Sequence, residues 1–509
     1  MPRPSVNQRC AGFVVPLFSV RSARDAGIGE ILDLVPLLQW GASFGQRVVQ
    51  LLPINETAPG EASPYNALSA FAIDPVYLSV HAVPHAPPVS AVAPSGARLP
   101  REAIRDAKLR ALAAAFEHFQ REHRDRGPRS LGAFVDANRD WLDDYALFHA
   151  LKEEHEFAPW EQWPAALRAR SPAALARAAR RFGHRIEFLR YVQWLAARQW
   201  TKVHRAAAAA GVWLKGDLPF VLGRDSVDVW VRQDEFDSAY SVGAPPDDFS
   251  STGQSWNLPL YDWPRVRMED FAWWRRRASH AATFYDLFRI DHIIGFFRTY
   301  AMPVDPALPP RFVPDTEPAQ REQGEAFLRA MIDASNGARP MAEDLGTVPD
   351  WVRQCMHRLG VPGYKVFRWE REHDRYRDPR SYDPLSVATT GTHDTDTLVE
   401  WWAGLDAEER TRVLVALRIE STTDQPGLSP GLREQMLARL YKAGSAWVIV
   451  PIQDLFGWRD RINVPATPSH LNWNWRMPVT IEHLADDPAI ARATAAIAAA
   501  VAAAGRSVR

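Results

Sequence analysis

The chain of 509 residues is 46% apolar and 24% charged, close to ordinary globular shares, which excludes a disordered or fibrous chain. Its 60 basic and 61 acidic side chains leave a formal charge of −1, so the basic excess of a nucleic-acid binder is missing. Two cysteines, Cys10 and Cys355, make no disulfide framework, and no stretch of about 20 apolar residues reads as a membrane span.

The first apolar run, Gly12 to Phe18, is short and broken by Pro16; it reads as a strand rather than a signal peptide, and the expectation is a soluble, cytoplasmic protein. In chain order, the clearest β-branched runs are Gly12–Leu17, Arg47–Leu52, Val212–Leu214, Phe284–Ile290, Arg339–Ala342, Tyr364–Trp369, Val387–Thr390 and Trp447–Pro451. Several are nearly continuous in apolar residues, as strands buried on both faces of a parallel sheet must be. Helical stretches separate most of them, and eight such units predict an α/β fold, a (β/α)8 barrel. The expectation is one elaborated barrel over residues 1–509.

Two segments interrupt the repeat. Residues 84–190 begin with the Pro-rich stretch Pro84–Pro100 and continue with helical periodicity over Ala103–His123 and Trp141–Glu154, predicting a largely helical insertion. Residues 232–263 are rich in Pro, Gly, Asp and aromatics with little periodicity, predicting an active-site loop insertion. The Ala-rich tail Ala493–Ala504 reads as a closing helix. The 20 tryptophans either fill a large core or stack on a ligand.

Three acids directly follow predicted strands four, five and seven: Asp291 in Arg289-Ile290-Asp291-His292, Glu343 in Ala342-Glu343-Asp344-Leu345-Gly346, and Asp394 in Thr392-His393-Asp394-Thr395. In a barrel all three project from the C-terminal face. Arg289 and Asp291 share one side of an extended strand, where the guanidinium can hold the acid ionised. Paired carboxyls flanking a glycosidic bond are the apparatus of glycosyl transfer. Metal coordination is the competing role, but HExxH, cysteine-cluster and EF-hand spacings are absent, as are GxGxxG after a strand and GxxxxGK[ST].

These segments resemble the amylomaltase (disproportionating enzyme) family of 4-α-glucanotransferases over nearly the whole chain. The matching stretches include Gly27-Ile28-Gly29, Gln50-Leu51-Leu52-Pro53, Ser63-Pro64-Tyr65, Asp144-Tyr145-Ala146-Leu147-Phe148, Gly216-Asp217-Leu218-Pro219, Gly243 through Asp247 to Gln254 and Trp256, the three acid motifs, Arg461-Ile462-Asn463-Val464-Pro465 and Asn472-Trp473-Asn474-Trp475-Arg476. The resemblance implies a retaining double displacement with no metal or organic cofactor, on an α-1,4-glucan donor and a sugar acceptor. It implies Asp291 as nucleophile, Glu343 as acid/base and Asp394 as transition-state stabiliser. Arg289, His292 and His393 would bind the sugar at the cleavage site, with Tyr65, Asp247, Gln254 and Trp256 as further substrate contacts. A retaining α-glucan hydrolase using the same carboxylates is the alternative; a glucan-binding protein without catalysis is the third reading. The sequence does not specify an oligomeric state.

The chain departs from the family pattern at Thr395 (usually Asn), Ile294 (usually Arg), Asn257 (usually Gly), Tyr364 (usually Met) and Arg368 (usually Gln). Trp230, Trp263 and Trp401 read as core, Trp256 as ligand-facing, Asp217, Asp225 and Asp228 as turn caps after the third strand, and Trp274-Arg275-Arg276-Arg277 as a solvated helix face.

Overall fold

The structure, a computed structural model, describes residues 8–92, 99–122, 129–246, 253–421, 427–465, 467 and 472–506. Its centre is a parallel eight-stranded sheet: β1 Cys10–Val14, β2 Val48–Gln50, β3 Trp213–Leu218, β4 Leu287–Ile290, β5 Arg339–Ala342, β6 Gly363–Val366, β7 Ser386–Thr389 and β8 Trp447–Pro451. The sheet runs β6-β7-β8-β1-β2-β3-β4-β5, and the amide of Ala342 donates to Pro362 O at 2.9 Å across the remaining seam. All eight predicted strands are present in the predicted order, in a nearly closed barrel.

Boundaries differ where a residue cannot continue a ladder. β1 ends at Val14, because Pro16 has no N–H and starts a 3-10 turn over Leu17–Ser19. β3 runs on through Gly216-Asp217-Leu218, a stretch that reads as a turn in sequence. A Cβ at Gly216 would come within 2.3 Å of the Tyr285 ring, so glycine is there for close packing, not for a bend.

Two apolar clusters hold the barrel. The large one lies between strands and outer helices and includes Phe13, Leu214, Phe288 and Val448. The small one fills the interior with Val48, Trp213, Leu287, Met341, Val387, Trp447 and Ile449, the layered filling that makes such a barrel a packed core rather than a pore.

Between β2 and β3 the chain inserts α1 (Arg101–Glu122), α2 (Arg129–Glu154) and α3 (Gly183–Ala210); His123, the last residue of the predicted first helix, lies outside the described residues. α3 closes at Gly211, whose φ of +67° suits a left-handed C-cap. Buried polar contacts bolt these helices to the segment after β2: Arg105 Nη2 to Asp74 Oδ2 at 2.8 Å, Lys108 Nζ to Val76 O at 2.7 Å, and His149 Nε2 to Glu56 Oε1 at 3.0 Å, with Tyr145 on the same carboxylate.

The second insertion is not an irregular loop. It forms an antiparallel ribbon, Phe236–Ala244 against Gln254–Tyr261, extended by Thr299–Pro303 and Arg311–Val313. The Arg-rich helix, Ala272–Phe284, also departs from expectation: Arg277 is 1% exposed, lies over the rings of Trp273 and Trp274, and donates to Pro219 O at 2.8 Å. The closing helix is present as Pro488–Ala503. No helix among the described residues is long and apolar enough to cross a membrane.

Candidate active site

Asp291 follows β4, and its amide donates to Leu218 O at 3.1 Å. Glu343 follows β5, with its amide on Ile290 O at 2.9 Å. The barrel ladder therefore sets both carboxylates side by side at its C-terminal mouth.

Arg289 is the hub between them. It is buried; its Nη1 sits 2.9 Å from both oxygens of Asp217, and its Nη2 is 2.7 Å from Asp291 Oδ1 and 3.7 Å from Glu343 Oε2. Tyr65 donates to Asp217 Oδ2 at 2.8 Å. Asp217 is thus part of the site rather than a turn cap, because β3 continues and points it inward beside Arg289. Asp225 and Asp228 tie elements together: Asp225 takes the Lys152 ammonium at 2.5 Å, and Asp228 accepts from Ala70 N and Trp273 Nε1.

The two strand-end acids differ in environment. Burial pushes the Glu343 carboxyl up to about 7; Arg289 pulls down, Asp291 pushes up, and the amides of His292 (2.8 Å) and Leu345 (3.1 Å) hold its oxygens. His292 has a φ of +47°, a left-handed conformation uncommon outside glycine and characteristic of strained functional turns. Burial holds its imidazole below the usual range, favouring the neutral ring.

Asp394 follows β7. Burial alone would raise its pKa, but His393 Nε2 at 3.1 Å and Asn463 Nδ2 at 2.6 Å outweigh burial and hold the carboxyl below the usual range. Burial pulls the His393 ring down, and Asp394 more than restores it, leaving it raised. The ring stacks on Tyr65 at 5.1 Å and lies 5.7 Å from Trp473.

A cavity of about 370 Å³ opens over these groups, lined by Tyr65, Trp256, Asp291, His292, His393 and Asp394 with Phe220, Asn463 and Trp473. Trp256 is 37% exposed, its ring edge-on to His292 at 5.2 Å. Gln254 sits exposed at the ribbon tip, paired with Ala244, and is not among the lining residues; Asp247 lies outside the described residues. A wider depression of about 580 Å³ shares Asp394 and is lined by Arg368, Trp369, Trp401 and Arg461 among others. Trp401 is therefore not plain core: its neighbour Trp402 takes the buried position.

The family model described as 4-alpha-glucanotransferase matches residues 15–481. The chain belongs to the 4-α-glucanotransferase family. The 4-alpha-glucanotransferase of Chlamydia pneumoniae is 34% identical over 496 residues, covering 93% of this chain and 92% of its own; that of Thermus thermophilus is 31% identical over 474 residues, covering 88% and 92%. An amylomaltase from Streptococcus agalactiae in complex with acarbose shares the fold with a TM-score of 0.85 at 24% identity, over 98% of this chain and 100% of that one. The protein is an enzyme of α-glucan transfer, and hydrolysis as its main activity is not favoured.

Within this transferase, two of the family departures, Thr395 and Asn257, have a visible local setting. Thr395 folds back on its own turn, accepting from Thr392 N at 3.0 Å and donating to Thr392 O at 3.1 Å, while the amide on Asp394 comes from Asn463. Asn257 takes a left-handed φ of +55°, where glycine is the unstrained residue. Asp217, Asn463 and Trp473 carry no strand-end signal; only their family motifs single them out in sequence.

Proposed function

We propose that the transferase works by retaining double displacement, with Asp291 as nucleophile, Glu343 as acid/base and Asp394 as stabiliser, in one barrel over residues 1–509 with insertions at 84–190 and 232–263. The carrying observation is that one nitrogen, Arg289 Nη2, reaches both carboxylates, at 2.7 and 3.7 Å. A shared cation holding both carboxyls this near accommodates the roughly 5–5.5 Å separation that a retaining pair uses.

Asp291 attacks the anomeric carbon as the bond to the leaving 4-oxygen breaks, and Glu343 gives that oxygen its proton. A carboxyl raised to about 7 still holds that proton near neutral pH. The 4-hydroxyl of an acceptor sugar then attacks the glucosyl ester, Glu343 takes its proton, and Asp291 departs as carboxylate. Asp394, held ionised by His393 and Asn463, faces the positive charge that develops on the sugar. Trp256, at the rim, screens the ester from water and offers the acceptor a flat face. No step calls for a metal or organic cofactor. Near-zero net charge suits a neutral glucan, which needs no steering field, and our reading is a role in maltodextrin, starch or glycogen turnover in the cytoplasm.

Purified protein given maltotriose alone should yield a ladder of longer and shorter oligomers plus glucose. Products no longer than maltotriose would sink the transfer reading in favour of hydrolysis.

A further inference from the structure

Lys215 lies on β3 inside the barrel and is 0% exposed. The cost of burying an ammonium is high unless its charge has a use. Its Nζ donates to Tyr364 Oη on β6 at 2.6 Å and lies 4.9 Å from that ring; Tyr364 in turn hydrogen-bonds Gln50 on β2. Asp217 is two residues further along β3, on the same inward face, directly under Arg289. The other charged or titratable groups facing this layer are Arg289 on β4, Glu343 after β5 and the Tyr364 phenol. The interior below is apolar: Val48, Leu287, Met341, Val387 and Ile449.

The charges at the mouth explain what a second cation does. With Asp394 paired to His393 at 3.1 Å and counted as balanced, before attack Asp217 and Asp291 are anionic, Arg289 is cationic and Glu343 holds a proton, leaving one negative charge unmatched. In the glucosyl-enzyme, Asp291 is an uncharged ester and Glu343 has given up its proton, again leaving one unmatched. A lysine ammonium below Asp217 balances both states.

We infer that Lys215 is a positioning residue for transfer: its ammonium, steadied by Tyr364, neutralises Asp217 from below, so that Arg289 keeps its outer nitrogen for Asp291 and Glu343. The inference rests on the roles assigned above to those two carboxyls. Burial pulls the Lys215 ammonium down to about 7, with Asp217 opposing and Arg289 adding to that pull, so its charge is present below neutral pH and lost as pH rises.

The test is initial-rate transfer from maltotriose between pH 5.5 and 8.5 with Lys215→Met and Tyr364→Phe. Lys215→Met should lower kcat about 10–30-fold at pH 6 with KM within about twofold, and the deficit should shrink toward pH 8.5, where the unmodified lysine is itself neutral. Tyr364→Phe removes the acceptor that favours the ammonium. It should cost about fivefold in kcat at pH 7, where about half of the unmodified lysine is charged, and less than about threefold at pH 5.5, where Lys215 is again charged. A purely structural role lowers activity by one factor at every pH, and that result in the folded variants, or no loss in either, overturns the inference. If Lys215→Met does not fold, Tyr364→Phe alone decides by the same criterion. If the unmodified protein builds no ladder from maltotriose, the functional reading has failed instead.

Discussion

Two buried arginines close the two ends of this barrel, and they do opposite things. Arg289, at the C-terminal mouth, is met by carboxylates: Asp217, Asp291 and Glu343. Arg506, at the N-terminal end, is 0% exposed, and among the described residues its hydrogen bonds go to backbone carbonyls. It reaches Tyr441 O (2.5 Å), Ala443 O (2.9 Å), Ser445 O (2.8 Å), Ala446 O (2.7 Å) and Cys10 O (3.3 Å). Tyr441 ends the helix Pro430–Tyr441, so the guanidinium caps that last carbonyl at the negative end of the helix dipole and gathers the carbonyls of the turn that follows. Burial and nearby Arg9 pull Arg506 down to about 9; burial opposes Arg289 too, but Asp217 and Asp291 hold it well above its usual value. A cation among neutral dipoles fastens the chain. A cation among ionisable acids decides which of them carries a proton.

Activity and stability should therefore separate between the ends. The largest effect is expected at Asp291→Asn, which removes the charge of the proposed nucleophile but not its shape: transfer should fall by about 10⁴-fold or more while glucan binding persists. A variant keeping more than a hundredth of the activity would break the assignment of the mouth. Arg289→Met should cost about 10²–10³ in kcat and raise the pH at which Glu343 ionises, since the cation that favours the carboxylate is gone. In the unmodified enzyme kcat/KM should fall as pH rises through about 7, where Glu343 loses the proton that the proposed mechanism has it donate. A limb unmoved by Arg289→Met would separate that arginine from the acid. At the other end, Arg506→Ala takes the guanidinium from Tyr441 O and Ser445 O, while Ala446 O and Ala443 O keep Cys10 N and Arg9; it should destabilise the fold by about 2–4 kcal/mol, read as a lower denaturation midpoint, with kcat of the folded fraction unchanged. A loss of kcat without a loss of stability would erase the contrast between the ends.

The same contrast explains what could be read in the sequence. Barrel strands buried on both faces are continuous apolar runs, and acids that end them stand out against that background, so Asp291, Glu343 and Asp394 are visible one by one. Groups whose role comes from distant partners are not. Asp217 reads as a turn residue because Gly216 precedes it, although the glycine is there to clear the Tyr285 ring. Asn463 gains its meaning only by meeting Asp394, and Arg277 looks solvated until Trp273 and Trp274 cover it. The ribbon Phe236–Ala244 with Gln254–Tyr261 lacks a local pattern because its strands are completed by Thr299–Pro303, far along the chain. Trp369, 52% exposed beside the wider depression, ends a predicted strand, where an apolar ring reads as one more member of the run. Arg506 follows the Ala-rich helix among small and polar residues, where nothing local distinguishes a plug from a solvated side chain.

The smallest effect sharpens the comparison most. Trp256 stands at the open mouth, 37% exposed and edge-on to His292, in contact with neither Arg289 nor the three carboxylates through any hydrogen bond. If it screens water and seats the acceptor, Trp256→Ala should leave the Arg289 cluster intact. The step that forms the glucosyl-enzyme should then slow by less than about threefold, whereas the acceptor KM should rise about three- to tenfold, the scale of one lost stacking contact. Water should gain on the acceptor, so glucose released per transfer should increase at limiting acceptor and return toward the unmodified ratio when glucose is supplied in excess. An unchanged partition would mean that the screen lies elsewhere on the rim. A large loss in the first step would mean that Trp256 holds His292, and through its backbone amide Glu343, in place; the tryptophan would then belong to the machinery around Arg289 rather than to the acceptor side.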